Sequence, residues 1–292
     1  MLNEFRSEKG LSDKLDLSDI KESLLACKEA NDKAYAFISN LECDTEEKSF
    51  SNFVSINMIG RVYEQIEGML LCIATKSYTS AEAIARVVFE SSINLMYMAL
   101  CGDEKTIAAF MSKWVVEHRR KLDEWKKDIV GKRYQAQVEA LINERVNALR
   151  LYEEYVEKVR EKFDVTPEQY NTLWTNSLFK RFEALNKEAD YYSIYHRLSG
   201  SSHMTAEDTI MFMISIQLPD EIRYKVAVEA CSYSIMMTRI VSFQFIESVA
   251  ASCIRHGMAD ISEIEGFKQL QKNVYNSIEE IKVAAGVPDL NG

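Results

Sequence analysis

Thr79 to Leu100 reads TSAEAIARVVFESSINLMYMAL, a stretch in which almost every position is apolar or small. A helix that is apolar all round belongs inside a fold rather than on its surface. Arg86, Glu90 and Asn94 break the pattern at i, i+4 and i+8, which sets them on one stripe of one helix. Polar and charged groups on a buried helix must be paired, hydrated in a cavity, or used for chemistry. Thr79-x-x-Glu82 reads as a capping box at the start of this helix, and Gly102 suits a left-handed position after its end.

Outward from that helix the chain continues in the same style. Its 292 residues contain only 10 glycines and 3 prolines, far fewer than the turns of a sheet protein consume, so the expected class is all-α. Helical periodicity runs over Leu17–Leu41 and Phe50–Lys76 on one side of the central stretch. On the other side, Asp103 can cap a helix reaching Val130, and Gly131 separates it from a charged helix over Lys132–Phe163. Residues 104–163 therefore read as an antiparallel hairpin, expected to protrude from the body and to offer a homodimer contact. Thr166-Pro167 starts a further helix carrying Trp174, Leu178, Phe179 and Phe182 on one side. TIMFMISIQ, from Thr209 to Gln217, is apolar enough for a buried helix or a short strand. Long helices over Glu221–His256 and Ile261–Ala285 complete a bundle read as one domain, 1–292.

The net charge is −10, which works against indiscriminate binding to nucleic acid or to an anionic membrane. Near the hairpin turn, Arg119, Arg120, Lys121, Lys126, Lys127, Lys132 and Arg133 outnumber Asp123, Glu124 and Asp128. That excess can guide a phosphate backbone, or it can simply solvate a helix surface. Six scattered cysteines show no metal-ligand spacing, and four lie within apolar helical patterns, as buried reduced thiols do. With no leader-like start and no evident membrane span, the expected setting is cytoplasmic. Neither H-E-x-x-H nor Glu-x-x-His occurs, and no phosphate loop, nucleophile elbow or G-x-G-x-x-G is present. No metal and no cofactor are therefore expected.

The second informative stretch is YYSIYHRLSGSSH, Tyr191 to His203. Tyr192, His196, Ser199 and His203 share a helix face if the helix runs through Gly200. Imidazole is suited to moving protons near neutral pH. Arg197 and His203 form an R-x5-H pair, separated by about 120° on an unbroken helix but able to meet if Ser199–Ser202 breaks it. An arginine can hold a phosphate while a histidine takes the proton of a ribose 2′-hydroxyl, which is the least equipment metal-independent RNA cleavage needs.

That pair resembles the R-x4-6-H signature of the HEPN superfamily, compact helical domains that are often dimeric ribonucleases. Leu198 stands where that signature commonly has a polar residue. A wider resemblance covers about Ser80 to Asp208. ARVVFESSIN at 85–94, Trp174 with its following basic helix, and Y-x-x-Y-H-R-L-S-x-x-x-H ending at His203 resemble a widespread microbial helical family of unknown function. The resemblance implies that Arg86, Glu90, Ser199 and His203 lie together in space.

Two functional readings follow. In the first, Arg86, Glu90, Asn94, Tyr195, Ser199 and His203 form a polar interhelical pocket for RNA or another phosphate-containing ligand. Glu90, His203 and Arg197 are then catalytic, with Arg86, Asn94, Tyr195, Ser199 and His196 binding, as in a defence or toxin-like ribonuclease. In the second, the same residues are a structural Arg–Glu–His network in a non-enzymatic helical protein that binds a partner or ligand.

Overall fold

The computed structural model describes residues 18, 20–39, 46–201, 206–257 and 261–284, and every regular element among them is helical. In chain order the helices are α1 (Lys21–Ser39), α2 (Glu46–Ala74), α3 (Tyr78–Cys101), α4 (Glu104–Asp128), α5 (Gln135–Lys162) and α6 (Tyr170–Leu173). There follow α7 (Leu178–Ala184), α8 (Glu188–Asp190), α9 (His196–Ser201), α10 (Ala206–Gln217), α11 (Asp220–Arg255) and α12 (Ile261–Ala284). A π-helical turn, Tyr191–Tyr195, joins α8 to α9. The chain divides into two compact units, Met1–Leu100 with Arg181–Gly292 and Cys101–Lys180.

The core of the first unit is built on α3 and α11. Ala81, Ala85, Val88, Phe89 and Ile93 of α3 are fully buried, as the apolar stretch required. α11 enters the core through its second half, where Val241, Phe245, Ile246 and Val249 are fully buried. The same half carries buried hydroxyls, and each finds its partner on its own helix. Thr238 donates to Ile235 O at 2.7 Å, Ser242 to Thr238 O at 2.9 Å and Ser252 to Ser248 O at 2.9 Å. This internal bonding removes the cost of burying a polar group, so a serine-rich helix can cross an apolar interior. Gln244 of α11 reaches Met96 of α3 at 4.0 Å, and Arg239 donates to the carbonyl of Ser277 on α12.

In the second unit, α4 and α5 form the antiparallel pair expected from residues 104–163. Arg119 grips Glu153 with two bonds of 2.8 and 2.6 Å, and Trp114 meets Tyr152 edge-on at 5.5 Å. Gly131, at φ 73°, makes the left-handed turn between them that a Cβ would oppose. Arg120 bonds Glu117 and Glu124, and Lys121 lies 3.5 Å from Glu117, so these two and Arg119 are engaged in ion pairs. Trp174 packs on Phe110 at 4.8 Å and its carbonyl accepts from Lys113 at 2.7 Å. The segment after Pro167 is broken into α6 and α7, because Ser177 bonds the backbone N–H of Lys180 and starts a new helix.

Three local readings change. α3 begins at Tyr78, so Thr79 lies within the helix, and Glu82 accepts instead from the Ser234 hydroxyl. Gly102 is not among the left-handed glycines; Asp103 caps α4 directly, accepting from the Thr106 N–H at 2.9 Å. Thr209–Gln217 is helical but exposed, with Phe212 at 64%, because a run with no apolar face carries no instruction about what covers it. By length and composition α3 and α11 each pass as membrane spans, a test that the core helix of a soluble fold also passes.

Candidate functional site

The polar stripe of α3 is longer than the sequence reading had it: Glu82 extends it one turn back, to give Glu82, Arg86, Glu90 and Asn94 at successive i+4 positions. All four are half-buried. Opposite them stands Tyr195, placed there by aromatic packing. Phe182, fully buried on α7, lies 5.8 Å from Phe89, 5.4 Å from Tyr191 and 6.1 Å from Tyr195, and the two tyrosines stack at 5.4 Å. Tyr191, Tyr195 and Leu198 follow one another at i, i+4 and i+7 and so share one face, on which Leu198 is fully buried.

Tyr195 links the two charges of the stripe. Its hydroxyl accepts from Arg86 Nη2 at 3.2 Å and donates to Glu90 Oε2 at 3.2 Å. The Arg86 guanidinium also lies over the Tyr195 ring, 5.4 Å from its centre, which adds a cation–π attraction. Burial pushes the Tyr195 phenol up, with Arg86 partly opposing, so it stays protonated and can donate to Glu90.

Sequence reading missed Arg181. Only 7% exposed, it is pulled below the ordinary guanidinium range by burial, an effect that the field of Glu90 only partly offsets. Glu90 is thus bonded to Arg86 through Tyr195 and acts on Arg181 through its field. The only sequence signal of Arg181 was its place beside Phe182. A further pair sits next along the stripe, where Arg197 lies 3.9 Å above the Tyr233 ring. Burial pushes the Tyr233 phenol up to about 12. Asn94 Oδ1 and Tyr233 Oη are both shielded from solvent and have no hydrogen-bond partner among the described residues.

The structure therefore joins Arg86, Glu90 and Tyr195, and leaves Arg197 and His196 exposed, with Ser199 half-buried. Tyr192 is 65% exposed, and it and His196 lie on the face adjacent to the one that holds Tyr195. His203 lies outside the described residues. A cleft of about 190 Å³ occurs elsewhere on α11, against α12, lined by Cys253, Ile254, Ile264 and Phe267, and includes none of these residues. Among the described residues no cluster of His, Cys, Asp and Glu has the makings of a metal site.

A model of a family of unknown function (DUF5677) matches residues 52–217, more than half of the chain and all of the stretch from α3 to α10. No curated protein and no solved structure matches.

Proposed function

We propose that this chain, which belongs to the family of unknown function DUF5677, uses the polar stripe of α3 to bind a phosphate-containing ligand, with RNA as the most concrete case. The observation that carries the reading is the Arg86–Tyr195–Glu90 hydrogen-bonded chain, with the buried Arg181 in the field of the same carboxylate. Arg86, Arg181 and Arg197 outnumber Glu82 and Glu90 among these residues, and an anion entering a half-buried site gains where water screens poorly. Asn94 Oδ1 and Tyr233 Oη add polar atoms without a hydrogen-bond partner among the described residues, and Arg197 places its exposed guanidinium at Tyr233.

In the ribonuclease version, Arg197 holds the scissile phosphate and His203 takes the 2′-hydroxyl proton. The 2′-oxygen then attacks phosphorus and the 5′-oxygen leaves, giving a 2′,3′-cyclic phosphate with no metal needed. A second reading is favoured by the Arg86–Tyr195–Glu90 chain itself. Its members satisfy one another, as a network that holds helices in register does.

The test is titration of the full chain, in EDTA, with inorganic phosphate and with a short single-stranded RNA, while product is followed by gel. Binding that weakens at least tenfold in Arg181→Met, and cleavage that disappears in His203→Ala and Arg197→Ala with helicity intact, is the expected result. Binding without cleavage removes the nuclease and leaves the ligand site. Absence of both leaves the structural network.

A further inference from the structure

α10 is the most apolar helix by sequence, yet its large side chains are not covered. Ile210, Phe212, Met213, Ile214 and Ile216 are all between 48 and 64% exposed. At 100° per residue they point to every side of the helix, so no single surface laid against it can bury them all. The start of α11, which follows after Leu218 and Pro219, continues the feature. Ile222 is 46% exposed, Tyr224 72% and Val228 44%, while between Ser234 and Cys253 the same helix sends a face into the core. A twelve-residue helix does not persist alone in water, and an apolar patch of this extent is a docking surface.

We infer that α10 and the first turns of α11 form the interface between two copies of this chain. Each of these eight side chains exposes on the order of 100 Å², which brings about 800 Å² per copy, the per-partner area of a standard stable interface. An apolar all-round helix needs a partner that offers more than one surface. A second copy supplies two helices of the same character, so four helices can bury one another as a bundle does. The charges at the patch are self-complementary rather than one-sided. Asp220 and Glu221 open α11, Arg223 and Lys225 follow one turn later, and Arg223 already pairs with Asp220 within one copy. An antiparallel two-fold pairing then sets Glu221 of one copy toward Lys225 of the other and the reverse, the isologous arrangement of a closed dimer. A membrane-seeking hairpin would instead carry a basic excess, which this one lacks in a chain of net charge −10.

Sedimentation equilibrium of the full chain, from about 1 to 100 μM, tests this. The wild type is expected at twice the 33.6 kDa of one chain, and the double variant Phe212→Asp, Ile216→Asp at 33.6 kDa with unchanged far-UV dichroism. Both positions are exposed within one copy, so the variant leaves the core of the first unit untouched; Tyr224→Ala is the milder second variant and is expected to raise the dimer dissociation constant at least tenfold. Hydrogen exchange of residues 209–228 should slow as concentration rises. A wild type that stays at one chain's mass overturns the inference, as does a variant that stays dimeric or a mass beyond two chains. Single-chain protein that binds neutral or anionic vesicles only when α10 is intact overturns it in favour of a lipid partner. None of these readouts depends on phosphate or RNA.

Discussion

At the residue scale, Tyr195 is what joins the α3 stripe to the segment more than a hundred residues later. Its hydroxyl has one donor and one acceptor role, and Arg86 and Glu90 use both. Tyr195→Phe keeps the ring on Phe182 and the cation–π contact but leaves a guanidinium and a carboxylate short of a partner. Urea denaturation should show a loss of roughly 1–3 kcal/mol with little change in slope. Combined with Glu90→Gln, the double variant should lose less than the two single losses together, because one interaction is removed twice. Fully additive losses would show that the bond contributes nothing in solution.

At the scale of elements, the start of α4 depends on a cap rather than on a glycine. Asp103 accepts from the Thr106 N–H at 2.9 Å while Thr106 Oγ1 accepts from the Asp103 N–H at 3.2 Å, closing a reciprocal box at the start of α4. Asp103→Ala should destabilise α4 by about 1 kcal/mol and Asp103→Asn by much less, read from amide exchange in the first two turns of that helix. Equal effects would assign the role to charge at the helix start instead of to the bond.

At the scale of the whole molecule, buried thiols and phenols make stability fall on the alkaline side. Burial pushes Cys27 up to about 12, with a bond to Ser242 partly opposing, and pushes Cys253 up to about 12 with help from Glu263. Burial, then Glu67, pushes Tyr63 up to about 12. Below pH 9 folded and unfolded chains hold these thiol protons alike. Above it the unfolded thiols ionise while the folded ones do not, so the unfolded state gains and stability falls toward pH 12. Each such thiol accounts for up to about 1.4 kcal/mol per pH unit across that window. The urea midpoint should be lower at pH 10 than at pH 7, and Cys27→Ala should narrow the gap. A gap left unchanged by that substitution would place the alkaline loss elsewhere. The buried thiols should also resist a thiol reagent at pH 8 that labels exposed Cys101.

The helical class, the position of α3 inside the fold and the helix starts at Asp103 and Thr166 were legible in the sequence, because spacing and caps are local properties of a chain. The resemblance set Arg86 and Glu90 with Ser199 and His203, of which His203 lies outside the described residues, and the partner the structure gives both is Tyr195 of the same segment. Tertiary structure alone decided the rest. Tyr195 became the link, with Tyr192 and His196 left outside, because the core covers the face shared by Tyr191, Tyr195 and Leu198 and not the adjacent one. Arg181 entered the site because Phe182 beside it was drawn into the core, and Glu82 left its capping role because Ser234 lay within reach. Thr209–Gln217, apolar enough to be read as interior, stands exposed. Hydrophobicity says that a segment needs covering, and only the arrangement of the other helices says whether this chain provides the cover.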